Sequence, residues 1–312
     1  MTIAFLFPGQ GSQSVGMMDA FAGVTVVKDT FEEASLILQR DMWALAHSGS
    51  DEKLALTTNT QPLMLISDVA MYRAWIELGG HLPSILAGHS LGEYAALVVA
   101  GGLSFADAVP LVQQRSELMQ NAVPSGVGAM AAVLGLTDDN ITLACHNACV
   151  DGGVAEPANY NAPGQVVIAG DKKTVEKAVE EAKKLGAKRA MLLAMSTPSH
   201  CSLIKPAADL FASVLDTVNI NPTEIPVVHN ENVQESSTAQ DIKTRLYQQL
   251  FKPVRWVETI RHIVAQDVHA GCECGPGKVI TGLNKRIDKE FQMISLASPE
   301  NMELAMNQLS GG

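Results

Sequence analysis

The chain has 312 residues, 47% of them hydrophobic and 18% charged, with a formal net charge of -11. That apolar content supports a large buried core, and the length suits two domains or one large and one small. The acidic balance excludes general nucleic-acid binding and adhesion to an anionic membrane surface, both of which need a basic face.

Ile3 to Phe7 reads as a buried strand, too short and too poorly flanked by basic residues for a secretory signal. No apolar run reaches the length of a membrane span, so a cytoplasmic protein is expected. The loop Pro8-Gly9-Gln10-Gly11-Ser12-Gln13 ends that first strand. It has serine at position 14 where a dinucleotide fingerprint needs glycine, and it lacks the Gly-Lys-Ser/Thr of a P-loop. Its glycines can instead aim backbone N–H groups into a site above the sheet. A helix is predicted from Pro62 to Leu78, with proline near its start and Gly79-Gly80 past its end.

The next segment, Ser84-Ile85-Leu86-Ala87-Gly88-His89-Ser90-Leu91-Gly92-Glu93-Tyr94, sets a serine between two glycines, after an apolar run and before a helical pattern. This is the G-x-S-x-G nucleophile elbow, in which a strand turns sharply into a helix and the flanking backbone has no room for a Cβ. The competing reading makes Ser90 an ordinary helix N-cap. After the elbow, Ser104-Phe105-Ala106-Asp107 starts a capped helix running to about Ala122. Arg115 lies in its apolar stripe, flanked at i±3 and i±4 by Leu111, Val112, Leu118 and Met119. A guanidinium turned inward needs an anion, supplied either by the protein or by a substrate carboxylate. Pro110 interrupts that helix pattern, so a kink or a later start is expected there.

From Gly126 the rhythm changes. Strands at 128–134, 154–160, 165–169 and 189–194 and helices at 138–149 and 172–185 follow in the order βαββαβ, the ferredoxin-like signature. Residues 125–197 are therefore expected to form an inserted α+β subdomain, with 1–124 and 198–312 as the main α/β domain on a parallel sheet. At the return, in Ser196-Thr197-Pro198-Ser199-His200-Cys201, His200 faces the expected cleft and can serve Ser90 as base. His81, His146, His229, His262 and His269 lie in segments without other catalytic signal, and His89 is expected to point to the opposite side of the elbow strand. No acid between Ser90 and His200 sits in a recognisable catalytic loop, which favours a Ser-His dyad with a neutral orienting group over a full triad. The five cysteines, an odd number, fit reduced thiols. Cys145-His146-x-x-Cys149 and Cys272-x-Cys274 lack the repeated C-x-x-C pairing of structural zinc sites and are expected to be structural.

Phe7-Pro8-Gly9-Gln10-Gly11-Ser12-Gln13, Gly88-His89-Ser90-Leu91-Gly92-Glu93-Tyr94, Arg115, Asn161-Ala162-Pro163-Gly164-Gln165, Pro198-Ser199-His200 and Gly275-Pro276-Gly277 together resemble the malonyl-CoA:acyl carrier protein transacylases of bacterial fatty acid synthesis, in order and over essentially the whole chain. The resemblance implies an α/β-hydrolase-like large domain with a ferredoxin-like insertion, and transfer of malonyl from malonyl-CoA to the phosphopantetheine thiol of acyl carrier protein without metal or bound cofactor. It implies Ser90 as acyl carrier, His200 as base and Arg115 as the grip on the malonyl carboxylate. It further implies the N–H groups of Gln10 and Leu91 as oxyanion hole, and the backbone carbonyl of Gln249 as the group that orients the histidine. The carrier of this family is acidic, so a local basic patch is expected to dock it, with Lys188, Arg189, Lys285 and Arg286 as candidates. The rival readings are a serine hydrolase or thioesterase acting on acyl-CoA and a non-catalytic carrier-binding subunit.

Overall fold

A computed structural model describes residues 2–195, 197–236 and 238–310. Within them, nine strands divide between two sheets: β1 (Ile3–Phe7), β2 (Ile85–Gly88), β3 (Gly128–Leu134), β4 (Ala155–Ala162), β5 (Gln165–Asp171), β6 (Arg189–Leu192), β7 (Val227–Val228), β8 (Ala270–Glu273) and β9 (Gln292–Ser295). The first sheet has the order β7-β2-β1-β8-β9 and every pairing in it is parallel. Such a sheet needs cover on both faces, and β1 is accordingly buried along its whole length. Ile3, Phe5 and Phe7 pack under the helices Thr57–Glu77, Gly92–Val99 and Phe105–Gln120. Ala4 and Leu6, on the other face, meet the helices Trp256–Val264 and Val279–Ile287.

The second sheet has the order β4-β5-β3-β6, antiparallel throughout. This is the ferredoxin-like arrangement. Helices Asp138–Ala148 and Lys172–Lys184 cover one face over a core that includes Val133, Ile141, Val166 and Val175. The other face, with Met130, Ala158, Val167 and Ala169, packs on Cys201 and Leu193. Hydrogen bonds join the surroundings of the two sheets. Val254 extends the outer edge of β4, donating to Ala158 O and accepting from Tyr160 N at 2.9 Å each. Arg286 donates to Gln165 Oε1 and to Pro163 O in the β4–β5 turn.

Some sequence expectations shift. The helix expected from Pro62 begins at Thr57 and carries Pro62 inside it, because Thr57, Thr60 and Gln61 are themselves buried and packing overrides the proline preference. The helix Phe105–Gln120 runs through Pro110, its start fixed by Ser104 Oγ accepting from Asp107 N at 3.0 Å. β4 extends to Ala162 and β6 stops at Leu192. All five cysteines are unpaired, four buried and Cys149 half-buried. No helix among the described residues is long and apolar enough to cross a membrane.

Candidate active site

The site forms at the carboxyl ends of β1 and β2, where a parallel sheet exposes its loops. Ser90 follows β2 with φ of 51°, a left-handed conformation costly for a residue with a Cβ, on the order of 1–3 kcal/mol. The glycines around it allow the turn. A Cβ on Gly88 would lie 1.9 Å from the backbone carbon of Gly92, and one on Gly92 would lie 2.2 Å from Phe7 O. A Cβ on Gly9 would meet His89 O at 2.5 Å, so the Pro8–Gln13 loop rests directly on the elbow. The helix that follows, Gly92–Val99, has Leu91 at its N-cap position and no side-chain cap. Ser90 therefore does not cap it, and its hydroxyl is free to face the cleft.

Across the cleft, His200 also has a left-handed backbone, with φ of 64°. Its Nε2 lies 2.7 Å from Ser90 Oγ, and its Nδ1 lies 2.7 Å from the backbone oxygen of Gln249. A carbonyl oxygen can only accept, so Nδ1 carries the proton and Nε2 presents its lone pair to the serine. Burial, and then the Arg115 charge, push the His200 pKa down to about 3, which keeps the ring neutral and able to accept a proton. Among the described residues no carboxylate makes an ion pair with His200; the orienting group is a neutral carbonyl. Ser196, at the head of this segment, lies outside the described residues.

Arg115 is 1% exposed and makes no ion pair among the described residues. Its guanidinium donates to Gln61 Oε1, to Gln249 Oε1 at 2.9 Å and to Ser90 Oγ at 3.3 Å, and it sits 5.3 Å from the Tyr94 ring centroid. Its Nε finds no hydrogen-bond partner among the described residues. Burial lowers the Arg115 pKa from its ordinary value, with Tyr94 and Glu93 opposing. A desolvated cation held by neutral amides has room for one more ligand, and that ligand should be an anion.

Gln10 and Leu91 border the same cleft with Ser90, Arg115 and His200, around a cavity of about 140 Å³. Neither backbone N–H, of Gln10 or of Leu91, meets a hydrogen-bond acceptor among the described residues, as groups reserved for a ligand's oxygen would be. The Gln10 side chain is tied down by Thr57 Oγ1, at 3.0 Å. His89 departs from expectation. Its ring lines the cleft instead of pointing away, held by Asn161 Oδ1 at 2.7 Å and tilted against Trp256. Lys188, Arg189, Lys285 and Arg286 are exposed, but Arg286 is engaged with the β4–β5 turn. A larger cavity, about 540 Å³ and lined by Phe31, Leu36, Arg40 and Trp43, shares no residue with the cleft and holds no nucleophile beside a base.

Several residues of the site escape sequence reasoning. Glu93, 0% exposed, lies 2.7 Å from His229 Nδ1 and accepts from Asn230 N at 3.0 Å and Gln249 Nε2 at 2.9 Å. Its signal was available: one acid standing immediately before the apolar run from Tyr94 to Ala100. Gln61, His229 and Asn230 carry no pattern of spacing that marks them.

Residues 4–297 match the acyl transferase domain family. The chain is 49% identical over 304 residues to the malonyl CoA-acyl carrier protein transacylase of Escherichia coli K12, covering 97% of this chain and 98% of that one. An acyl-carrier-protein S-malonyltransferase from Burkholderia pseudomallei superposes with a TM-score of 0.97 at 51% identity, over 98% of this chain and 100% of the other. A malonyl-transacylase solved in complex with its type II polyketide acyl-carrier protein gives a TM-score of 0.97 at 46% identity, over 99% of this chain and 100% of that one.

Proposed function

We propose, for a chain that belongs to the malonyl CoA-acyl carrier protein transacylase family, that Ser90 and His200 transfer the malonyl group and that Arg115 selects it. The protein is an acyltransferase of fatty acid biosynthesis, moving malonyl from CoA to acyl carrier protein. In the proposed route His200 Nε2 takes the Ser90 proton as Oγ bonds to the thioester carbon. The carbonyl oxygen gains the negative charge and is held by the N–H groups of Gln10 and Leu91. The C–S bond then breaks, the CoA sulfur takes the proton from His200, and malonyl-Ser90 remains. The pantetheine thiol of the carrier repeats these steps in reverse, which makes the kinetics ping-pong. The Gln249 carbonyl keeps the imidazole in the tautomer that both halves need.

The observation that carries this reading is the buried guanidinium, which makes no ion pair among the described residues and lies 3.3 Å from the serine oxygen. A carboxylate seated there lies very near the acyl carbon bonded to Oγ, as the far end of a malonyl group does, one methylene beyond its carbonyl. The cavity beside Ser90 is small, about 140 Å³, as a site for a short acyl group would be. We further assign the small unit to residues 125–197, within a catalytic domain of 1–124 and 198–312, and docking of the acidic carrier to exposed cations such as Lys188, Arg189 and Lys285. Five unpaired cysteines support a reducing cytoplasmic setting.

Intact-mass spectrometry after brief exposure to malonyl-CoA tests the assignment. A malonyl adduct is expected on Ser90 of the wild type and none on Ser90→Ala, with formation slowed about 10²- to 10⁴-fold in His200→Ala. An adduct mapped to Cys201 or elsewhere would refute it. Free malonate accumulating as fast as malonyl-carrier would favour a hydrolase.

A further inference from the structure

Ser90 holds a backbone conformation that its own side chain disfavours, so something else must fix it. The neighbouring strand does not. β7 pairs with β2 only through Leu86↔Val227 and Ala87↔Val228, with Leu86 N donating to Pro226 O at 2.9 Å. If that parallel ladder continued, the C=O of Gly88 and the N–H of Ser90 would meet the main-chain N–H and C=O of residue 230. The main chain of Asn230 is turned elsewhere. Its N–H donates to Glu93 Oε2 at 3.0 Å, and its C=O accepts from Arg255 N at 3.1 Å. Its side-chain carboxamide takes both vacant places, with Nδ2 donating to Gly88 O at 2.6 Å and Oδ1 accepting from Ser90 N at 2.7 Å. The residue is 0% exposed.

We propose that Asn230 is a positioning residue of the transferase, its carboxamide acting as a surrogate peptide unit that adds one rung to the ladder and locks the strained elbow of Ser90. The inference rests on Ser90 being the nucleophile. Glu93, from the helix after the elbow, holds the Asn230 backbone and the Gln249 side chain together. The clamp and the Arg115 grip thus share one buried carboxylate. Without Asn230, the Ser90 N–H and Gly88 C=O lose these partners at a buried turn, and the hydroxyl loses its aim at His200 Nε2.

The experiment measures labelling of Ser90 by a fluorophosphonate probe, mapped by peptide mass spectrometry, in the full-length wild type, Asn230→Ala and Asn230→Asp. In that reaction Oγ bonds to phosphorus, fluoride leaves and the serine proton passes to His200. At neutral pH both variants should label about 10- to 100-fold more slowly, the range that releasing a strained backbone implies. Asn230→Asp then separates positioning from bulk structure. As a carboxylate it sets two acceptors against each other at Gly88 O; as a carboxylic acid it again has a donor for Gly88 O and an acceptor for Ser90 N. The groups around position 230 are Glu93 from the elbow helix, His229 and Glu231 beside it in the chain, and Arg255, with Arg115 and His200 one residue further through Gln249. Glu231 is paired with Arg245 and Lys252, and the Arg255 guanidinium pairs with Glu258. All are present in the wild type and in Asn230→Ala as well, so a pH effect confined to Asn230→Asp marks the introduced carboxyl.

Between about pH 8 and about pH 5 the Asn230→Asp ratio should climb toward one while the Asn230→Ala ratio stays flat. Wild-type labelling rates in both variants, or a flat Asn230→Asp ratio, would overturn the clamp and leave the nucleophile intact. Absence of a Ser90 adduct on the wild type would overturn both. Loss of the folded circular dichroism spectrum in both variants would replace the positioning role with a purely structural one.

Discussion

Replacing Arg115 by alanine should change which acyl group the protein prefers. In the resting protein the guanidinium is fully buried, with two neutral amide partners and the serine hydroxyl around it. Seating a malonyl carboxylate completes an ion pair, and removing one partner of a buried pair costs about 3–5 kcal/mol. At 1.36 kcal/mol per tenfold, kcat/KM for malonyl-CoA should fall by roughly two to nearly four orders of magnitude. Acetyl-CoA has no carboxylate to strand. Two smaller effects act on it in opposite directions: Gln249 loses a neighbour, and His200 becomes more basic as a positive charge beside it disappears. Because the two oppose each other, its kcat/KM should stay within about tenfold of the wild type, the worth of one ordinary hydrogen bond. The assay is kcat/KM for both thioesters on both proteins, with carrier saturating and the fold checked by circular dichroism. A folding defect scales the two rates together. An unchanged malonyl-to-acetyl ratio would refute the reasoning and return Arg115 to a structural role.

The His200 pKa supplies a second prediction. It lies at about 3 in the folded protein against an ordinary 6.5, so the unfolded chain binds the proton first, and stability complete above about pH 6.5 drains away as pH falls toward 3. Removing the Arg115 charge by Arg115→Gln raises that pKa, so the acid limb of kcat/KM for acetyl-CoA should move to higher pH, and a limb that moves down would contradict the assignment. The elbow gives a third. Gly88→Ala drives a Cβ into the backbone of Gly92 and should cost about 1–3 kcal/mol or more together with activity, whereas Gly23→Ala meets nothing within 4 Å and should leave Tm and rate near wild type. Calorimetry and the malonyl transfer assay read both outcomes.

What sequence could reveal about this site follows from the range of the forces involved. The turn at Ser90 is legible because its steric demand falls on Gly88 and Gly92, two residues away on either side. Arg115 is legible because helix periodicity places it among Leu111, Val112 and Met119 before any partner is known. The six-element rhythm of the small sheet can be read because each strand or helix satisfies its own period. Asn230 is different. Its amide completes a ladder with a strand far earlier in the chain, and that service leaves no trace in local spacing. His89 misleads for a related reason: alternation along β2 predicts which face it leaves from, but Asn161, contributed by the other sheet, decides where the ring settles. Pro62 misleads in the opposite sense, since a local preference for helix starts is outweighed by burial of the turn before it.

The pairing of Val254 with the outer edge of β4 bears on how the protein is made and how it can be rebuilt. The strands and helices of the small sheet are complete in sequence by Leu192, yet the cover for one of its edges arrives only with a segment synthesised much later. On a ribosome the insert would wait with the Ala158 carbonyl and Tyr160 amide bare, a template for another chain until residue 254 emerges. An insert excised for separate expression would keep that sticky edge permanently. Anyone exchanging it between acyltransferases to alter their acyl preference should move the stretch around Val254 with it, because the graft's true boundary is set by its last rung rather than by its last strand.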